Sequence, residues 1–297
     1  MRQEIKWTDL TRREVSRRLT ERGTPAGKRA VKRLLKKHGY VKRKAQKSQT
    51  MGRRHPDRNA QFENVARLKR EYLGAGDPVI SMDTKKKELL GNFYRDGRLY
   101  TREVIGTFDH DFPSAADGVV IPHGLYDVGR NLGHLNLGTS HDTSQFACDS
   151  IERWWERHGR QQYQHAKRLL LLCDGGGSNG ASRYVFKEEL QKLADRLGLE
   201  IRVAHYPPFC SKYNPIEHRL FPHVTRACQG VVFHTIQIVT ALVEKTRTSK
   251  GLAVSVDVID KVYETGRKCA NGFKENMKIV FDDLLPKWNY RAVPTVT

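Results

Sequence analysis

The sequence predicts an α/β fold, a mixed sheet with flanking helices, preceded by a small all-α module. Three observations carry this. Short apolar runs of strand length alternate with longer segments of helical period. One run, Leu169 to Leu172, has four leucines in a row, too short for a helix and bounded by Asp174 and three glycines, which reads as a buried central strand. The first 58 residues carry 20 Lys and Arg against 5 Asp and Glu, so +15 of the total net charge of +20 sits in the head.

A chain of 297 residues has room for one large domain and a smaller module. Hydrophobic residues at 38% and charged residues at 29% are ordinary for a globular protein, which argues against global disorder. The charge calls for a polyanionic partner, and nucleic acid is the commonest. Five cysteines, an odd number with no CxxC pair, argue against a disulfide framework and a cysteine zinc knot and fit a reducing compartment. The first residues lack an apolar leader, and no run approaches the roughly 20 apolar residues needed to span a bilayer. The expectation is a cytoplasmic, nucleoid-associated protein that makes no membrane contact.

In the head, Val15 and Leu19 share one face of a short helix that Gly23 stops. Thr24 and Pro25 read as the start of a second helix. Its apolar face is Ala30, Val31, Leu34 and Leu35, its basic face Lys28, Arg29, Lys32, Arg33, Lys36 and Lys37, and Gly39 closes it. Residues 1–48 then fit a basic helix-turn-helix module with the second helix in the major groove, the alternative being a solvated basic hairpin. Residues 41–60 read as a basic linker, and 49–76 as linker plus a helix near 59–73.

A strand over 78–84 opens the second domain, 77–265, and two strand-like runs, 119–128 and 133–138, form a hairpin through Gly129, Arg130 and Asn131. A helix over 143–157 follows, with Trp154 and Trp155 read as core. After the leucine strand, a helix over 182–197 buries Phe186, Leu190, Leu193 and Leu197 and is capped by Gly198. A strand over 200–205 and a loop over 207–215 lead to a helix carrying Glu217. Residues 266–297 are set apart as a tail. This is the element order of an RNase H-like core.

Asp83 and Asp174 each close a strand. If those strands are parallel neighbours, both carboxylates emerge at the carboxyl edge of the sheet, where open α/β sheets bind ligands, and Glu217 leans over the same edge. Such hard oxygen donors suit Mg²⁺ or Mn²⁺. Two ions about 3.5–4 Å apart serve phosphodiester hydrolysis and transesterification alike. An aspartate at a strand end also serves as a cap or turn residue, and topology alone leaves both readings open.

Four blocks, "VISMDTKKKELLGNF" around Asp83, "HDTSQFACDSIERWWERHG", "LLCDGGGSNGASR" around Asp174 and "HYPPFCSKYNPIEHRLF" around Glu217, resemble the signature of ISAzo-type bacterial insertion-sequence DDE transposases. The likeness runs from about residue 50 to 265, and "NPIEHRLF" is also similar to the glutamate block of mariner-like enzymes. It implies that Asp83, Asp174 and Glu217 bind two divalent ions. It also implies double-stranded DNA partners, namely the element's terminal inverted repeats and target DNA, and a homodimer holding two ends together. After Gly266 the chain departs from the family's usual pattern. A structure-specific nuclease of the same fold, or an element product that only binds DNA, are the alternatives.

Gly175, Gly176 and Gly177 would admit a phosphate closely, with Ser178 and Asn179 as donors, or make a plain turn. Lys85, Lys86 and Lys87 could meet the DNA backbone or form a solvated strand face. Lys212, Asn214, His218 and Arg219 flank Glu217, with Asn214 also reading as the turn residue before Pro215. The candidate DNA contacts outside the head are therefore Lys85, Asn179, Lys212 and Arg219. His123, His134 and His141 lack helical metal-ligand spacing, which argues against zinc.

Overall fold

The computed structural model describes residues 7–44 and 55–295. The chain divides into two compact units, residues 1–51 and 52–297. The basic linker expected over 41–60 falls, between 45 and 54, outside the described residues.

The first unit has two helices, α1 (Arg12–Glu21) and α2 (Lys28–Lys37). Thr11 caps α1 by accepting the Glu14 N–H at 3.2 Å. The start signal at Thr24 and Pro25 is misplaced by three residues. The Thr24 N–H bonds back to the Leu19 carbonyl at 2.9 Å, so Thr24 closes α1, and α2 begins after its cap Gly27. Ser16 donates to the Ala26 carbonyl at 2.6 Å and ties the connection to α1. Val31 is buried, while Lys28, Arg29, Lys32, Arg33, Lys36 and Lys37 are all exposed.

The second unit opens with α3 (Arg58–Ala75), which Gly76 ends in the left-handed region at φ 77°. Its strands are β1 (Val79–Thr84), β2 (Glu88–Leu90), β3 (Gly118–Asp127), β4 (Leu132–Gly138), β5 (Arg168–Cys173), β6 (Glu200–His205), β7 (Ala253–Ile259), β8 (Ile279–Phe281) and β9 (Asn289–Ala292). Between them lie helices α4 (Ser144–Trp154), α5 (Arg160–Gln162), α6 (Tyr184–Leu197), α7 (Pro215–Arg219), α8 (Phe221–Ala227), α9 (Ile236–Glu244) and α10 (Phe273–Asn276). The sheet order is β7-β4-β3-β1-β5-β6-β9-β8, with β2 on β3. In the stretch β4-β3-β1-β5-β6, β3 is antiparallel to both neighbours while β1, β5 and β6 are parallel. That is the RNase H-like mixed sheet expected from the element order.

The leucine run alternates between two cores, as a strand buried on both faces must. Leu169 and Leu171 pack with Ile80, Met82, Phe186 and Leu190 on the side of α4 and α6. Leu170 and Leu172 pack with Val65, Leu68 and Tyr72 of α3. Each fully buried leucine contributes about 1.5–3 kcal/mol. Trp154 and Trp155 are core residues, each 4% exposed. The helix expected to end at 157 continues through one π turn, Trp155–Gly159, into α5.

Three strands follow Glu217 where none was expected. β7 joins the edge of the sheet parallel to β4, and β8 and β9, from the segment set apart as a tail, extend it beyond β6. No helix of the described residues is long and apolar enough to cross a membrane.

Candidate active site

The register of β1 on β5 sets Val79 against Leu170, Ile80 against Leu171 and Ser81 against Leu172. Carried on two residues, it sets Asp83 beside Asp174 at the carboxyl edge. The third carboxylate comes from α7. Its first helical residue, Pro215, and the loop before it bring Glu217 over the same edge, and the charge of Glu217 acts on both aspartates.

The site is electrostatically unbalanced. Burial pushes the Asp83 carboxyl up to about 8, Asp174's charge adds to this, the Thr84 backbone N–H at 2.8 Å opposes it, and Glu217 raises it further. Burial likewise pushes Asp174 up to about 6, opposed by the Asn214 side chain and reinforced by Glu217. Three acids at a half-buried edge offer oxygen donors that could hold a divalent cation.

Asn214 does more than start a helix. Fully buried, it accepts from Ser81 Oγ at 2.5 Å and donates to the Met82 carbonyl at 3.2 Å and to Asp174 Oδ1 at 3.3 Å. Ser81 Oγ in turn accepts the Ile216 N–H at 2.9 Å. One side chain therefore fastens α7 to β1 and to the end of β5, and fixes where Glu217 stands. Gly124, the register partner of Asp83, completes the fit. A Cβ there would come 2.7 Å from Phe221 and 2.8 Å from Ile216, so its absence lets α7 and α8 lie directly on β3.

Asp174 is also held from behind. A carbonyl can only accept, so His205 Nδ1–H donates to the Asp174 carbonyl at 2.8 Å, and Nε2 accepts from the Tyr290 hydroxyl at 2.9 Å. Burial pushes the His205 pKa down to about 4, which keeps this tautomer neutral. Beneath it, Gln61 of α3 donates to the His205 carbonyl at 2.8 Å and exchanges hydrogen bonds with Asn289 of β9. The tail segment thus forms part of the support of the second aspartate.

A cleft of about 450 Å³ opens at the edge, lined by Asp83, Asp174, the three glycines and the 207–211 loop. Gly177, at φ 71°, takes a left-handed conformation that other residues rarely adopt. Phe209 stands at the rim, 68% exposed and itself at φ 61°. Asp142, which the sequence reading did not single out, joins this edge by accepting from Thr84 Oγ1 at 3.3 Å and Ser178 Oγ at 2.9 Å. In the sequence it stands second in the block "HDTSQFACDSIERWWERHG", just before the cap of α4.

The other candidates are dispersed. Lys85 is held by Glu88 at 2.6 Å, a carboxylate it shares with Arg95. Asn179 is 6% exposed. Lys212 and Arg219 are exposed. Among the described residues, the His, Cys, Asp and Glu groups with ligand atoms within 4.8 Å of one another comprise His134, His158 and Asp257, from β4, the π turn and β7. Sequence spacing could not show this cluster, because three distant elements make it. Asp257 already meets a cation there, Arg157 at 2.6 Å.

A family model described as the Rhodopirellula transposase DDE domain matches residues 1–294. No curated protein matches. Among solved structures, the chain is similar to the Mos1 mariner paired end complex with Mn at 16% identity and TM-score 0.46, over 78% of this chain and 65% of that one. It is similar to the paired end complex with Mg at 12% and 0.49, over 81% and 72%, and to a pre-cleavage Mos1 transpososome at 12% and 0.47, also over 81% and 72%. The chain thus spans slightly less than two thirds of the first of these proteins.

Proposed function

The chain belongs to the family of the Rhodopirellula transposase DDE domain, and from that premise we propose that it is the transposase of an insertion sequence, cutting DNA at the ends of its element and joining those ends to target DNA. The observation that carries the reading is the meeting of Asp83, Asp174 and Glu217 at one sheet edge, beside a cleft floored by glycines.

The donor set fits Mg²⁺ or Mn²⁺, being all carboxylate oxygen and short of positive charge. Two such ions would supply Lewis-acid charge to the attacking and leaving oxygens of an in-line displacement at phosphorus. The chain's own residues do the rest. The three carboxylates serve as ligands in their ionised form, Asn214 fixes the spacing between Asp174 and the helix carrying Glu217, and the glycines leave room for a phosphate. In hydrolysis a water oxygen bonds to phosphorus while the P–O3′ bond breaks and the 3′ oxygen takes up a proton. In joining, the freed 3′-hydroxyl plays the part of water at a second phosphodiester.

In this reading residues 1–48 bind the terminal inverted repeats through the exposed cations of α2, with 49–76 leading into a catalytic domain over 77–265. Lys212 and Arg219 contact DNA beside Glu217, Lys85 does so after releasing Glu88, and Asn179 after parting from Ser178, whose hydroxyl donates to it at 3.2 Å. Two ends must be brought together, so the working form is a homodimer acting on DNA in the cytoplasm.

The test is an assay of the full chain with labelled duplexes carrying the inverted repeats that flank its gene, in Mg²⁺. Cleavage and strand joining are expected, with Asp83→Ala, Asp174→Ala and Glu217→Ala each lowering the rate by at least about 10²–10³-fold while DNA binding persists. Cleavage of any branched duplex without joining would replace transposase by nuclease. Binding without cleavage would reduce the protein to a DNA-binding product.

A further inference from the structure

A second charged cleft, of about 780 Å³, lies on the second unit beyond α7. Arg219 of α7, Arg226 of α8 and Lys245, Arg247 and Lys250 of the segment between α9 and β7 all line it, and no aspartate or glutamate does among the described residues. Small-molecule sites of this size are mostly apolar, whereas here Ala227 and Leu252 are the apolar lining residues. The segment is built rather than loose. Asn131, in the β3–β4 turn at φ 57°, donates to the Lys250 carbonyl at 3.0 Å, and Thr248 Oγ1 accepts the Leu252 N–H at 3.2 Å. Thr246, in the lining, is 3% exposed and its hydroxyl has no partner.

Five cations in a lining that holds no acid raise the local potential and call for a polyanion that extends across the whole cleft. A single phosphate would leave most of them unmatched. We propose that this cleft binds the sugar-phosphate backbone of duplex DNA, as a sequence-independent track bordered by α7. The inference rests on the transposase reading for its substrate and goes beyond it in assigning Arg226, Lys245, Arg247 and Lys250. Glu217 and Arg219 are two residues apart on one short helix and so stand on opposite sides of it, which makes α7 the element between the carboxylates and the cleft. The contacts are to phosphate, so they position the duplex without reading its bases.

The experiment is a salt titration of binding to a random-sequence duplex, with the full chain in EDTA so that cleavage plays no part. Each lost phosphate contact removes about one from the slope of log K against log salt. Arg226→Gln/Arg247→Gln/Lys250→Gln should lower the slope by about 3, so that over a single fourfold drop in salt the variant gains roughly 10²-fold less affinity than wild type. Arg226→Lys/Arg247→Lys/Lys250→Arg should restore it, which separates charge loss from misfolding. Lys268→Gln/Lys274→Gln/Lys278→Gln, toward the β8 end of the sheet, serves as control and should change the slope far less. A neutralised cleft whose slope equals that of the control overturns the proposal. Failure of the wild type to cut element ends would sink the transposase reading while leaving this result standing.

Discussion

Removing the Asn214 side chain tests how the third carboxylate is held. In Asn214→Ala three hydrogen bonds go at once, two buried, to Ser81 and the Met82 carbonyl, and one part-buried, to Asp174. Two are between neutral groups, worth about 0.5–1.5 kcal/mol each, and the one to a carboxylate about 1.5–3 kcal/mol. The two bonds made by Nδ2 are long, at 3.2 and 3.3 Å, so the low end applies and the loss is about 3 kcal/mol. For a unit of this size that lowers Tm by roughly 6–12 °C. Urea unfolding of the metal-free chain measures it, and a double-mutant cycle with Ser81→Ala should return a coupling above about 0.5 kcal/mol, since the two side chains share a bond. Activity should fall by more than stability explains, with more Mg²⁺ needed for half-maximal cleavage, because only the Ile216 N–H bond to Ser81 is left to hold α7 on β1 and Asp174 loses the donor that eases its ionisation. An Asn214→Ala chain within about 0.5 kcal/mol of wild type and unchanged in its Mg²⁺ requirement would refute this account of the site.

Gly124→Val should destabilise by about 1–3 kcal/mol through overpacking against Phe221 and Ile216, and should weaken cleavage by lifting α7 from the sheet; thermal melts and the end-cleavage assay check both. Asp83 and Asp174 are raised in the folded chain above ordinary carboxylates. The stability that protonation gives them is full below about pH 4 and is lost as pH rises through about 6 for Asp174 and about 8 for Asp83. Millimolar Mg²⁺ should therefore raise Tm more at about pH 8.5 than at about pH 5, and Asp83→Asn should flatten that difference; an equal Mg²⁺ effect at both would contradict it.

Much of the carboxylate edge was legible in the sequence because its cause is local. An apolar run of strand length followed at once by an acid, as at Leu172, Cys173 and Asp174, needs only the period of a strand and a count of residues to be read. The basic face of α2 is likewise a matter of helical spacing. Local signals also misled: Thr24 and Pro25 have the chemistry of a helix start, yet the Thr24 N–H completes the end of α1.

Tertiary structure alone decided the register that puts Asp83 beside Asp174, since register depends on which strands pair. It also made residues 266–297 part of the sheet. No period in that segment announces that Tyr290 meets His205 or that Asn289 meets Gln61, partners 85 and 228 positions away. The sequence by itself determined which carboxylates and cations this protein has to spend and which short elements carry them. Only the folded chain decided that Asn214 joins two of those elements and that cations from α7, α8 and the segment before β7 share one cleft, because contacts between distant segments are set by packing and leave no trace in spacing.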